Sequence, residues 1–318
     1  MKALITGYAG LIGAPLTRQL IDKGWKVYGL DMSNTGTLGA YNLKGDPQLV
    51  GMLGSVLDLP AMLNAVRDAD IIIHLAAQSG VGKSRDQGHK AWELNFMGTL
   101  NALESARIKD KPVIIASSNH VYGNAAFYPT PESAIPNRFD PYSASKIAGD
   151  VAARSYAETY GVQVVSIRNT NCFGPADPHM DHIIPGTIMS VLDSKSPVIR
   201  SSGKTSKNYL HVDDVASAYA LAAEAMLAGK MHSPAVYNVS DNAEPSTVVD
   251  LVTTIIRLMG SDLTPVIEGT DQPDDVNEQL DSSMFRELTG WKSRPLEDAL
   301  YQGIESFKLR FPRKVGVS

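Results

Sequence analysis

Short apolar runs rich in β-branched residues alternate along the chain with segments of helical periodicity. Few polar positions interrupt these runs, which is typical of strands buried on both faces of a parallel sheet. Between several of them, apolar residues recur three and four positions apart, as on one face of a helix. The runs are KALIT, WKVYGLD, ADIIIHLA, PVIIAS and VQVVSIR, and the helical segments include residues 12–23, 60–68 and 91–109.

The first strand leads directly into the glycine-rich segment GYAGLIG. Gly7 would allow a tight turn, Gly10 the approach of backbone to a pyrophosphate, and Gly13 close packing of the next helix on the sheet. A glycine triplet can also be only a turn, but Asp31 ends the second strand roughly 20 residues further on, where a carboxylate binds the ribose hydroxyls of a dinucleotide. Because an acidic side chain there repels a 2′-phosphate, we expect NAD rather than NADP.

The alternation of strands and helices predicts an α/β fold with a doubly wound parallel sheet of the Rossmann type. After about Arg168, glycine, proline and polar residues interrupt the pattern. We therefore expect residues 1–170 to form the NAD-binding domain. Residues 171–318 are expected to form mainly a smaller C-terminal, substrate-binding lobe, with some segments returning to the first domain.

Composition narrows the class of protein. The chain has 318 residues, 43% of them hydrophobic, and a formal net charge of -5, which provides no basic surface for nucleic acid. No apolar run approaches the ~20 residues needed to span a bilayer, so we expect a cytoplasmic protein. The single cysteine, Cys172, excludes an internal disulfide and is interpreted as a small buried residue. The seven histidines show no metal-ligand spacing, so no metal site is predicted.

Candidate catalytic residues lie in PYSASK and PVIIASSNHVYG. Tyr142 and Lys146 are four residues apart in a helical pattern that runs to about Tyr160, which places them on one face. A phenol titrates near ~10, and a neighbouring ammonium stabilises its ionised form. Tyr142 could then remove a proton from a sugar hydroxyl whose carbon transfers hydride to NAD. Ser118, at the carboxyl end of a strand, could bind the same oxygen, although a strand-end serine can also simply complete a turn.

These motifs, in this order, resemble the extended short-chain dehydrogenase/reductase superfamily, specifically the NAD-dependent epimerase/dehydratase family acting on nucleotide sugars. The likeness covers nearly the whole chain. It is carried by GYAGLIG, Asp31, HLAAQ, NFMGT, Ser118 before VYG, Tyr142 with Lys146, NCFGP, YLHVDDVA and LTGWKSRP.

The resemblance implies a catalytic set of Ser118, Tyr142 and Lys146, with His120 as a further candidate, and a substrate contact at Asn171. Small residues after the strand IIIH would leave room for the dinucleotide. The residues assigned to the cofactor are Gly7, Gly10, Leu11, Ile12, Gly13, Asp31, Asp58, Leu75, Ala76, Ala77, Asn95, Tyr142 and Lys146. Those assigned to the substrate are Ser79, Ser118, Asn119, Asn171 and Lys207.

The chain also departs from the family pattern. In 4,6-dehydratases the two residues after the catalytic hydroxyl are Asp then Glu, or Asp then Lys, whereas here they are Asn119 and His120. An amide cannot act as a general acid, although His120 could serve as acid or base or in a supporting role. The run Ser-Asn-His also resembles uronate dehydrogenases of the same superfamily.

The positions expected to bind phosphate differ as well. Lys207 replaces an arginine, and residues 272–275 read QPDD where relatives have Arg-Pro-Gly-Asp. Lysine lacks the bidentate fork of arginine, and glutamine carries no charge. Arg200, Lys204 and Lys207 could compensate, or could form a solvated basic surface.

Three functions remain open. The first is an NAD-dependent nucleotide-sugar 4-epimerase, and the second a nucleotide-sugar 4,6-dehydratase or an NAD-dependent dehydrogenase of a free sugar or sugar acid. The third is a non-enzymatic NAD-sensing regulator, which the Tyr142 and Lys146 pair disfavours. By the resemblance, the helix of Tyr142 and the one near 91–109 would pair with their symmetry mates in a homodimer.

Overall fold

The computed structural model describes residues 1–175, 177, 179–241, 243–270 and 276–311. Within them, thirteen strands are defined. The strands are β1 (Lys2–Thr6), β2 (Lys26–Asp31), β3 (Leu49–Leu53), β4 (Ile71–His74), β5 (Val113–Ala116), β6 (Val164–Asn169), β7 (Asn171–Phe173), β8 (Val198–Ile199), β9 (Ser206–Lys207), β10 (Tyr209–His211), β11 (Ala235–Val239), β12 (Ser246–Thr247) and β13 (Val266–Ile267).

Helices flank these strands on both sides. The helices are α1 (Gly13–Asp22), α2 (Leu59–Val66), α3 (Val81–Asp86), α4 (Gly88–Ala91), α5 (Gly98–Lys109), α6 (Pro141–Tyr160), α7 (Ile183–Leu192), α8 (Val212–Leu227), α9 (Val248–Leu258), α10 (Ser283–Thr289) and α11 (Leu296–Arg310). None of the helices in the described part of the chain is both long enough and apolar enough to cross a bilayer.

The central sheet has seven parallel strands in the order β11-β6-β5-β4-β1-β2-β3. Its inner strands are buried on both faces, because alternate side chains point to opposite sides and both sides are covered. Ala3 and Ile5 of β1 belong to the core under α1 and α8, whereas Leu4 between them belongs to the core under α2, α5 and α6. The predicted doubly wound fold is confirmed.

Two strands of this sheet, β3 and β11, are absent from the sequence-based prediction. Both lie at its edges, and β3 is mostly exposed, so its apolar pattern is weak. The predicted helix over 91–109 is also interrupted. Wide turns of π type occupy Trp92–Met97, between the end of α4 and the start of α5.

The second half of the chain has a core of its own around α7, α9 and α11, with Ile188, Ile255 and Ile304 fully buried. It also contributes to the central sheet, because β11 pairs with β6 and α8 packs against α1. The short pair β7 and β10 lies where the two halves meet, directly after β6. The division at residue 170 stays a prediction.

A buried ion pair anchors α6 to the sheet. Arg168 at the end of β6 donates to Oδ2 of Asp150 on α6 at 2.8 and 3.0 Å, and to the Tyr122 hydroxyl at 2.8 Å. Ser117, after β5, donates to the same Asp150 oxygen at 3.0 Å. A buried charge requires such partners, so this network sets the position of α6 against β5 and β6.

Candidate active site

A cavity of about 850 Å³ runs along the carboxyl edge of the central sheet. Loops after β1, β2, β3, β4 and β5 form one side of it, and residues from the second half of the chain form the other. This edge is where open α/β sheets bind their ligands, because parallel strands bring all their carboxyl ends together there.

The glycine turn after β1 has the geometry of a phosphate-binding loop. Gly7 has a φ of +73° and donates its N–H to the Leu30 carbonyl at 2.9 Å. A Cβ on Gly7 would lie 2.9 Å from the backbone nitrogen of Ala76, and one on Gly13 would overlap the Gly7 carbonyl. Close backbone packing therefore requires glycine at both positions, and it leaves bare backbone facing the cavity.

Most residues assigned to the cofactor line this cavity. Asp31 lies at its rim and accepts a hydrogen bond from the Ala9 N–H at 3.1 Å. The assigned residues found in its lining are Gly7, Gly10, Leu11, Ile12, Gly13, Asp31, Leu75, Ala76, Ala77, Tyr142 and Lys146. The glycine cradle, the small side chains and the terminal carboxylate together fit an extended dinucleotide.

The structure places two assigned residues elsewhere. Asp58 does not reach the lining that the described residues form. It precedes α2, where its Oδ1 accepts from the Ala61 N–H at 3.1 Å and caps the helix, while Ser55 lies in the cavity wall. Asn95 is buried behind the cavity and accepts from the Gln78 N–H at 2.7 Å, so it orders the loop after β4.

Tyr142, Ser118 and Lys146 meet on one wall of the cavity. Pro141 begins α6, and Asp140 caps it by accepting from the Ser143 N–H at 3.1 Å, which orients the first turn that carries Tyr142. Ser118 is close enough to Tyr142 for its hydroxyl to lower the pKa of the phenol. Lys146, one turn further on, donates to the Ala116 carbonyl of β5 at 2.8 Å.

Burial is the largest influence on the pKa values of Lys146 and Tyr142. It lowers the pKa of Lys146 to about 8, against the opposing charge of Asp150. Burial raises the pKa of Tyr142, although the neighbouring Ser118 hydroxyl acts in the other direction. Below pH 8 the lysine is still mostly charged, so its ammonium can favour the phenolate one turn away.

Cys172 also lines the cavity, and burial with the nearby Asp177 raises the pKa of its thiol to about 12. At neutral pH the side chain is therefore a thiol, which is a poor nucleophile.

Three of the residues assigned to the substrate, Asn119, Asn171 and Lys207, surround a carboxylate that the sequence-based prediction missed. Glu278 is only 5% exposed. Its Oε2 accepts from the amide nitrogens of Asn119 and Asn171, both at 2.6 Å, and its Oε1 accepts from Nζ of Lys207 at 3.0 Å. Nδ1 of His120 lies 3.2 Å from the same Oε1. No local motif marks Glu278, because its partners are far away in sequence.

The remaining predicted substrate residue, Ser79, lines the cavity beside a histidine-rich loop. Its hydroxyl lies 3.3 Å from Nε2 of His179. His179, Asp181 and His182 each offer a ligand atom within 4.8 Å of the others, a donor set able to hold a divalent cation. Asp181 is exposed, and His182 already forms an ion pair with Asp177 at 3.7 Å.

Of the three basic residues considered for phosphate, Arg200 and Lys207 line the cavity, and Lys204 is exposed outside its lining. The QPDD segment at 272–275 lies outside the described residues.

Comparison with known proteins agrees with the fold and the cavity described above. The model of the NAD dependent epimerase/dehydratase family matches residues 3–240. The chain belongs to this family. It is 29% identical to the UDP-glucose 4-epimerase of Mycolicibacterium smegmatis over 97% of this chain and 99% of that protein.

Two solved structures show both chemistries of the family on this fold. The UDP-glucose 4-epimerase of Thermotoga maritima, solved with UDP-glucose, has a TM-score of 0.88 and 26% identity over 98% of this chain and 100% of that one. The dTDP-glucose 4,6-dehydratase of Streptomyces venezuelae, solved with NAD bound, has a TM-score of 0.88 and 26% identity over 98% of both chains.

Family membership makes this protein an NAD-dependent enzyme of the extended short-chain dehydrogenase/reductase class. The expectation of NAD as cofactor is confirmed.

The glycine turn generates a direct test. Gly13→Ala should weaken NAD binding at least about tenfold, because overpacking of ~1–3 kcal/mol must displace the Gly7 carbonyl. Calorimetric titration measures the affinity. Gly39→Ala is the matched control, because nothing lies within 4 Å of the Cβ it adds. Native affinity in the Gly13→Ala protein would contradict this account of the turn.

Proposed function

We propose that the enzyme is a nucleotide-sugar 4-epimerase, which oxidises the sugar 4-hydroxyl to a transient ketone and reduces it again from the other face. One observation carries the proposal. Ser118, Tyr142 and Lys146 line one cavity, whereas the residue after Ser118 is the amide Asn119. The site thus has the groups that oxidation and reduction need. At one of the two positions that act in elimination in relatives, it has an amide instead of an acid.

NAD would be held by the glycine turn and by Asp31 at the rim, with the small residues Ala76 and Ala77 beside it. When bound, it supplies the hydride acceptor for oxidation and the hydride donor for the return step.

Tyr142 would take the proton of the 4-hydroxyl as the carbon loses hydride, and return it when the ketone is reduced. The raised pKa of the buried phenol makes it a reluctant acid, so a base at this position depends on neighbouring positive charge. Lys146 provides that charge from one helical turn away. Ser118 would hold the substrate oxygen against the phenol, which keeps the two atoms in register for proton transfer.

A 4,6-dehydratase would need in addition a proton donor for the leaving 6-hydroxyl and a base for the neighbouring carbon. Asn119 cannot ionise, and its amide N–H is bound to Glu278. His120 could supply one of the two groups, but its Nδ1 lies against the same carboxylate. The described residues beside Ser118 therefore favour epimerisation over elimination.

Replacement of Tyr142 by phenylalanine removes only the hydroxyl. We expect turnover to fall at least ~100-fold, the usual scale for a positioned acid-base group, with little change in NAD affinity. Steady-state kinetics and a cofactor titration measure the two effects. Tyr301→Phe, at a site that is 56% exposed on α11, should behave as the native enzyme. Comparable turnover in both variants would remove Tyr142 from the mechanism.

The products separate the three chemistries. With UDP-glucose, an epimerase yields an isomer of unchanged mass and no accumulated NADH. Mass spectrometry together with absorbance of the reduced cofactor follows both signals. Loss of one water, abolished by His120→Ala, would instead establish a dehydratase, and NADH formed in proportion to a sugar or sugar acid would establish a dehydrogenase.

We further propose that the protein is a homodimer through α5 and α6. Apolar side chains on and beside these helices are exposed, namely Trp92 at 41%, Met97 at 46% and Val151 at 65%. Light scattering at micromolar concentration should report twice the chain mass. Val151→Glu should shift it to the monomer, while Ile135→Glu, at a residue that is 84% exposed outside both helices, should not. A monomeric native protein would refute this interface.

A further inference from the structure

We propose that Glu278 makes the subsite beside the reacting hydroxyl selective for a neutral sugar over a uronic acid. The inference rests on the proposed function, because it takes a sugar to bind next to Ser118 and Tyr142. It concerns which sugar that is. A single buried carboxylate and the four side chains arranged around it carry the argument.

The position of Glu278 is fixed by backbone contacts as well as by its side chain. Its N–H donates to the Ser206 carbonyl at 2.9 Å, and its carbonyl accepts from the Asn208 N–H at 3.1 Å. These two bonds tie Glu278 to both sides of Lys207, whose ammonium reaches the carboxylate at 3.0 Å. The carboxylate is therefore a built element of the cavity wall.

This carboxylate lies close to the reaction centre. Asn119 is next to Ser118 in the chain, and its Oδ1 lies 3.4 Å from the Ser118 hydroxyl. The rings of His120 and Tyr142 pack edge to face with centroids 6.0 Å apart. Both Asn119 and His120 contact Glu278 with their other polar atoms. A substrate group beside the reacting carbon thus meets side chains that Glu278 holds.

Glu278 also decides which end of each amide faces away from it. A carboxylate only accepts hydrogen bonds, so Asn119 and Asn171 must present their NH₂ groups to it. Their carbonyl oxygens then point away from the carboxylate and remain acceptors. Because Asn119 and Asn171 line the cavity, the groups they would bind are donors, such as sugar hydroxyls.

The charge of the subsite leads to the same substrate class. Burial alone would raise the pKa of Glu278, but His120 and Lys207 hold it well below its ordinary value, so the group is ionised. Lys207 is then paired with Glu278 and is not an unopposed cation for a substrate carboxylate. A uronate placed here would approach a buried like charge, which is costly at low dielectric.

The test compares two ligands that differ only at carbon 6, UDP-glucose and UDP-glucuronate, bound to the NAD complex. We expect the native protein to prefer UDP-glucose at least about tenfold. Glu278→Gln keeps the shape of the side chain but removes its charge and frees Lys207, so the ratio of the two dissociation constants should fall toward one. Glu158→Gln is the control, because Glu158 is an exposed residue of α6.

A second variant controls for a general loss of structure. Lys207→Met removes the ammonium that pairs with Glu278. The carboxylate then repels a uronate more strongly, so the preference for UDP-glucose should increase rather than fall. Opposite shifts in the two variants cannot come from unfolding. Equal affinity of the native protein for both ligands, or a ratio unchanged in Glu278→Gln, would overturn the inference.

The proposed function fails in a different way. If neither UDP-sugar binds, and dTDP-glucose does not bind either, the nucleotide-sugar assignment is wrong. The same ratio is then measured with D-glucose and D-glucuronate by NADH formation, and a preference for D-glucuronate would overturn the neutral-sugar inference as well.

Discussion

The parallel direction of the seven central strands is the constraint on which the rest of the structure depends. Each strand must be followed by a crossover, so the strands all end at one edge, and the loops that leave them collect there. The glycine turn, Asp31, the small residues after β4 and Ser118 reach a common cavity for this reason alone. The edge provides a long groove, and the second half of the chain closes its other side.

Buried charges then join the two halves. An ion removed from water is stable only with a partner and with its remaining hydrogen-bonding capacity satisfied. Arg168 and Asp150 form such a pair between the sheet and α6 through Oδ2 of the carboxylate, which sets where Tyr142 and Lys146 lie. Glu278 is paired across the cavity, between Asn119 from the first half and Asn171 from the second, and both of its oxygens have partners. In the proposed function, recognition of the sugar would therefore depend on the way the two halves pack together.

The same fold supports several reactions within this family, so the chemistry depends on the side chains beside the shared catalytic set. Here these are an amide, an imidazole held by a carboxylate, and a lysine paired with that carboxylate. In the proposed function, such a neighbourhood would bind hydroxyl groups and leave little capacity to protonate a leaving group. The polarity of this neighbourhood follows from Glu278, which lies outside the sequence motifs that the chain shares with the family.

The sequence by itself determined the features that depend on local spacing. Alternating apolar runs predicted the sheet, and the spacing of Tyr142 and Lys146 placed them one helical turn apart. Only the tertiary structure revealed the edge strands β3 and β11, the capping role of Asp58 and the carboxylate of Glu278. Glu278 meets Asn119 across 159 positions of the chain, and such a contact leaves no periodic trace. Burial and charge pairing, which decide the character of the proposed sugar subsite, exist only once distant segments pack.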